Sequence, residues 1–281
     1  MLIMDENKDN ITVIGNEEAN SEQEPPKKKS RWGWFTSIGG VLLLLKASKI
    51  WAIIKGALIF LKLGKFLTTG LSMMLTVVIY TFIYGWKYAV GIVLLLFVHE
   101  MGHLVASRRL GINTSLPMFI PFLGAIIQMK EAPKDAKTES IVGIAGPIFG
   151  ALGAFVCLCI GEIFDSMLLY ALAYFGFFLT VFNLIPAHPL DGGRIVTAIS
   201  LKLWLVGIPI MLFFSLYFFN PIGILISILA VKKAWEVWKD RENPYYDTDP
   251  GFRLKMGFSY FALFALSAYY TYNLHETLNR H

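Results

Sequence analysis

Residues 66–86 carry no charged side chain. A run of that kind is long enough to cross the hydrocarbon core of a bilayer as a helix, which takes about 20 residues. Runs at 88–106, 140–161, 166–186 and 195–231 repeat the pattern, with few interruptions. In lipid every backbone N–H and C=O must find a partner within the protein, which leaves helices or a closed barrel. The runs are continuous and do not alternate with period two, so a barrel is excluded. Mean hydropathy of +0.57, with 16% charged residues, is far outside the range of a soluble domain. The expected fold is an all-α polytopic integral membrane protein. It has about six transmembrane helices, and the expectation adds a short re-entrant strand or hairpin beside an active site.

Polarity enters the apolar body at two places. The first is His99-Glu100-Met101-Gly102-His103, inside the run 88–106. On a helix His99 and His103 lie one turn apart on a common face. Two neutral imidazoles so placed can grip one Zn²⁺ and leave positions for a third ligand and a water. Glu100 falls about 60° around the helix from His103, at 100° per residue. It can reach a metal-activated water without being a ligand, the general-base position of the H-E-x-x-H arrangement. Ionisable groups at membrane depth are costly and mark function. The second place is 183–194, where two prolines, two glycines and Asp191 break the hydrophobic pattern. Of the five histidines, His275 and His281 fall in the C-terminal tail, and His188 lies in this second stretch. A catalytic zinc wants three protein ligands and a water, and His99, His103 and Asp191 can supply them.

Along the chain, residues 1–30 read as a disordered cytoplasmic tail. Lys27, Lys28, Lys29 and Arg31 follow as a basic cluster. Residues 31–65 read as amphipathic basic interfacial helices on the cytoplasmic leaflet, with a spanning hairpin whose lysines snorkel as the alternative. Residues 66–202 form a membrane core that would carry the zinc site, and 203–281 form C-terminal membrane helices and a tail. An interfacial turn is expected at 86–88. Residues 116–129 contain Pro117, Pro121 and Gly124, are too broken to span as a helix, and read as the re-entrant hairpin. Gly143, Gly146, Gly150 and Gly153 recur at near-turn spacing, which lets helices approach closely. Cys157 and Cys159 point about 200° apart on a helix and cannot share a metal. The short apolar segment 258–272 either spans or lies at the interface.

Arg108-Arg109, Lys232 and Lys233 flank these runs and mark the cytoplasmic side, whereas the acidic turn 162–165 suits the outside. The net charge of +5 fits anionic headgroups and the positive-inside rule, not nucleic acid. The expected setting is a multi-pass protein of a prokaryotic plasma membrane with its site nearer the cytoplasm. Oligomeric state is not legible.

His99-Glu100-Met101-Gly102-His103, taken with the stretch from Asn183 through Pro186, His188 and Pro189 to Asp191-Gly192-Gly193-Arg194, resembles the site-2 protease family of intramembrane zinc metalloproteases. Gly146-Pro147 resembles a third family feature. The resemblance covers roughly 86–202. It implies one Zn²⁺ per chain held by His99, His103 and Asp191, Glu100 as base, and Asn183 near the site holding substrate or a transition-state oxygen. It further implies a transmembrane protein substrate, met in extended form by residues 118–127. His188 departs from the family pattern, in which that position is commonly apolar, and is read as a possible neighbour of the ligands. Rival readings are a membrane metal-binding or transport protein and the prenyl-protein type of membrane zinc protease. No further His, Asp or Glu lines a transport pathway, and the Asp-Gly-Gly segment argues against the prenyl-protein type.

Overall fold

The computed structural model describes residues 65–122, 124–127, 131–219 and 221–280. The tail expected at 1–30 and the interfacial helices expected at 31–65 lie outside these residues, except for Lys65, which opens the first described helix. That helix, α1 (Lys65–Tyr84), is followed by α2 (Trp86–Arg109) after a break at Gly85. Gly85 has φ 82°, a backbone conformation open to glycine at no steric cost. The break therefore precedes the aromatic cluster at 86–88, where the turn was expected; Trp86 already begins α2.

Strands β1 (Met118–Ile120) and β2 (Gly124–Ile126) then pair antiparallel, with Met118 opposite Ile126 and Ile120 opposite Gly124. Three side chains of α1 hold this hairpin. Thr69 Oγ1 donates to the Pro117 carbonyl at 2.7 Å, while Ser72 Oγ and Tyr80 Oη accept from the backbone of Phe119 and Phe122, both at 3.1 Å.

Helix α3 (Ala136–Phe164) starts four residues before the expected 140, because Asp135 caps it by accepting the Thr138 N–H at 2.7 Å. Helix α4 (Met167–Asn183) leads through a loop to the six-residue α5 (Asp191–Val196). Helices α6 (Trp204–Tyr217), α7 (Pro221–Lys239) and α8 (Pro250–Asn279) complete the chain. The last is 30 residues long, twice the apolar segment read from composition. Arg253, Lys255 and His275 lie inside it and obscured its ends. Helices Leu67–Tyr84, Trp86–Arg109 and Ala136–Phe164 are long and apolar enough to cross a membrane, and Met167–Asn183 and Leu201–Tyr217 are shorter apolar helices.

In lipid, one apolar side chain gains little by leaving lipid for another, so helix association rests on close packing and hydrogen bonds. The α2–α3 contact is built that way. A Cβ added at Gly102 would run into the Ala145 backbone carbonyl. On α3, Gly146, Gly150 and Gly153 leave room for His103, for His99 and for Leu95 with Val98, so three of the four expected glycines form the face that receives α2, whereas Gly143 meets Ile195 and Arg194. Val93 and Leu96 of α2 are buried in a cluster with Tyr80 of α1, Phe119 of β1 and Leu172. Helix α8 lies on α4, where the rings of Tyr270 and Phe177 stack with centroids 4.9 Å apart. Gly102→Val should lower stability by about 1–3 kcal/mol, the usual cost of overpacking. Gly70→Ala on α1, where nothing lies within 4 Å of an added Cβ, should be neutral or stabilising by up to about 1 kcal/mol. Thermal unfolding of both variants in detergent checks the contrast.

Candidate metal centre

His99 and His103 come from the middle of α2, and Asp191 is the first residue of α5. The fold brings all three to one point. Nε2 of His99 lies 3.1 Å and Nε2 of His103 3.2 Å from Oδ2 of Asp191, and the two Nε2 atoms are 3.3 Å apart. The residues are 3%, 6% and 8% exposed, so little water screens them. Glu100 borders the same point at 9% exposure, and its carboxylate groups with the two imidazoles as a further oxygen donor.

Hydrogen bonding limits what can occupy this point. Nδ1 of His103 donates to the Val142 carbonyl at 2.8 Å, which leaves a lone pair on its Nε2. That lone pair faces a carboxylate oxygen, and two acceptors cannot bond each other. The two atoms therefore need a proton or a metal cation between them. A tetrahedral ion with bonds of about 2.0–2.1 Å separates its ligand atoms by about 3.3 Å, close to the three edges observed. The carbonyl behind His103 is the kind of partner that orients a metal-bound imidazole. Nδ1 of His99, by contrast, is buried without a hydrogen-bond partner.

Space for the rings comes from α3. A Cβ at Gly146 would strike the His103 ring, and one at Gly150 would come within 3.0 Å of Nδ1 of His99. Pro147 follows Gly146 and removes the N–H that would bond the Gly143 carbonyl, in the turn where Val142 accepts from His103. The sequence marks the glycines as helix-packing residues, and two of them also house the imidazole rings of His103 and His99.

Asp191 is presented by a tightly folded loop. Cβ atoms at Gly192 and Gly193 would collide with the backbone of Leu184 and Ile185 and of Ala187 and His188. The Asp-Gly-Gly run thus lets residues 184–188 fold back on the start of α5. His188–Pro189 is cis. Trp204 Nε1 donates to the Gly193 carbonyl at 3.0 Å, Tyr260 Oη donates to that of Leu184, and Thr248 Oγ1 to that of Ala198 at 2.9 Å.

The other two residues singled out from the sequence are not part of the cluster of ligand atoms. Asn183 ends α4, and its Nδ2 donates to the Leu179 carbonyl one turn back at 3.0 Å. His188 packs edge-on against Trp204, with ring centroids 5.4 Å apart. Its Nε2 stands 4.0 Å from Oε1 of Glu139. Burial pushes the His188 imidazole below its ordinary range, an effect that the Glu139 carboxylate opposes. Glu139 was not singled out from the sequence. It accepts from Tyr245 Oη at 2.7 Å and faces Arg194 Nε at 3.6 Å. Burial and this carboxylate raise the Tyr245 phenol above its usual range, so its O–H remains a donor. A cavity of about 710 Å³ opens here, lined by Lys134, Glu139, His188, Trp204, Lys233 and Tyr245 among others.

Part of the chain is similar to known proteins. Residues 87–166 and 162–206 match Peptidase family M50. Zinc metalloprotease MJ0392 of Methanocaldococcus jannaschii is 33% identical over 150 residues, 47% of this chain and 43% of that protein. "Probable zinc metalloprotease EGY1, chloroplastic" of Oryza sativa subsp. japonica is 34% identical over 83 residues, 28% of this chain and 14% of its own. Rip3 of Mycobacterium tuberculosis strain H37Rv is 31% identical over 119 residues, 39% and 30% of the two chains. The chain spans less than half the length of each of these relatives. With its apolar helices the protein is integral to the membrane. Over residues 87–206, less than half of its length, the chain is similar to peptidase family M50.

Proposed function

We propose that the chain is an intramembrane zinc metalloprotease that hydrolyses peptide bonds of membrane-embedded protein substrates. The observation that carries this reading is the convergence of Asp191 at 3.1–3.2 Å on His99 and His103, which stand beside Glu100 in a helix apolar enough to cross a membrane. His99, His103 and Asp191 would hold one Zn²⁺, which when bound supplies the Lewis acid that makes water nucleophilic near neutral pH. Glu100 takes the proton of the attacking water on its carboxylate and passes it to the nitrogen of the departing peptide. Nδ2 of Asn183, once turned from its Leu179 partner, is the donor for the oxygen on which charge develops. His188 stays beside the site, in contact with Trp204.

A peptide bond in a membrane helix is hydrogen-bonded and shielded, so the substrate must unwind and pair as a strand. In support, the Phe119 N–H of β1 is already taken by Ser72 of α1, leaving the far side of the hairpin as its open edge. On this reading the hairpin enters the membrane beside the site. The shorter apolar helices and α8 bring the number of spans to about six, in the plasma membrane of a prokaryote. The end of α2 at Arg108-Arg109 and the start of α3 then face the cytoplasm.

The central test is cleavage of a single-pass model substrate, with zinc content measured on the same samples. Glu100→Gln should retain zinc and lose turnover by at least about 10²-fold, the scale of general-base catalysis. Asp191→Ala should lose zinc as well. Equal zinc loss in both variants refutes the division of roles, and no cleavage by wild type favours a metal-binding protein. Topology has its own check. Lys134 and Asp165 flank the 29-residue α3, a helix of about 43 Å. Cysteines at these two positions should label from opposite sides of the membrane, with Lys134 cytoplasmic; labelling from one side sinks the arrangement.

A further inference from the structure

Arg194 and Asp191 stand three residues apart in α5, so their side chains rise from neighbouring positions on one face. Both are largely withdrawn from solvent, with side chains 17% and 10% exposed. A guanidinium in such surroundings seeks a carboxylate and forms strong, often bidentate, bonds to it. Asp191 is the carboxylate nearest to it in sequence. The structure nonetheless turns Arg194 Nε toward Oε1 of Glu139, at 3.6 Å, and leaves Oδ2 of Asp191 to the two imidazoles.

Glu139 is well placed to hold that arrangement. Its other oxygen, Oε2, accepts from Tyr245 Oη at 2.7 Å, which fixes the carboxylate from outside α3. Along α3 it stands one turn before Gly143, where an added Cβ would lie 3.4 Å from Arg194 Cβ and 3.5 Å from the Asp191 carbonyl oxygen. The first turn of α5 therefore lies over Gly143, with Glu139 just beyond. A single face of α3 thus carries Glu139 toward Arg194, Gly143 under α5, Gly146 under His103 and Gly150 under His99.

We propose that Glu139, fixed by Tyr245, is a positioning residue that holds the Arg194 guanidinium off Asp191 and so keeps that carboxylate free to ligate a metal. The inference rests on the metal-centre reading above. It differs from a simple tack between α3 and α5, because its force lies in what Arg194 does when released. Without Glu139 the guanidinium pairs with Asp191 and competes with the cation. Removing Arg194 as well abolishes the competition.

The test is zinc affinity of the full chain in detergent, by competition with a chromophoric chelator. Glu139→Gln should bind zinc at least tenfold more weakly than wild type. Arg194→Gln and the double variant Glu139→Gln/Arg194→Gln should both lie within threefold of wild type. Tyr245→Phe, a milder change that keeps the ring, should weaken zinc in the same direction and be rescued by Arg194→Gln. Wild-type affinity in Glu139→Gln overturns the inference, as does a double variant as weak as Glu139→Gln alone. A wild-type chain that binds no zinc overturns the metal reading itself, and this inference with it.

Discussion

Three lone-pair-bearing atoms of His99, His103 and Asp191 face one another across 3.1–3.3 Å in a place nearly closed to water. Such a cluster repels itself unless a cation or proton sits among its members, because burial removes the solvent that would otherwise screen it. Much of the surrounding architecture keeps the cluster assembled. Helix α3 contributes mainly the absence of side chains, at Gly146 and Gly150, together with one carbonyl, that of Val142, which orients a ring. Helix α5 is too short to hold itself in water and takes its position from bonds and contacts made by its neighbours.

A division of labour follows between the two motif segments. Helix α2 is a long, regular scaffold on which two ligands fall at a fixed spacing. The segment 184–196 has no regular scaffold of that length. It is folded tightly on itself through Gly192 and Gly193, and pinned by Trp204 and Tyr260, with Thr248 holding Ala198 just beyond it. A rigid pair of imidazoles and a pinned carboxylate are thereby brought to one point.

The parts of this design that obey a simple period or a strong cost were legible in the amino-acid order. Helices α1 and α2 announce themselves by uncharged length, and the ligand residues by the expense of placing them among apolar neighbours. The hairpin was readable because Pro117 and Pro121 forbid a helix there. Glu139 was not, because a carboxylate near Lys134 and Lys137 looks like any solvated loop residue until the Asp135 cap draws it into α3. The one available signal was its place four residues before Gly143, in line with the glycine stripe. Tyr245 and Tyr260 were hidden for a different reason: they act from 106 and 76 residues away in the chain, a separation that no local pattern reports.

The pins on α5 also impose an order of assembly. Both imidazoles and the carboxylate have been synthesised once residue 191 leaves the ribosome. The hydrogen bonds that seat the Asp191 segment come from Trp204, Thr248 and Tyr260, the last of them 69 residues later. Domains form from the N-terminal end as the chain emerges, so α2 and α3 can meet while the third ligand is still loosely held. The nascent protein carries His99, His103 and Asp191 well before it can present them together, and the helix that bears Tyr260 is what closes that interval.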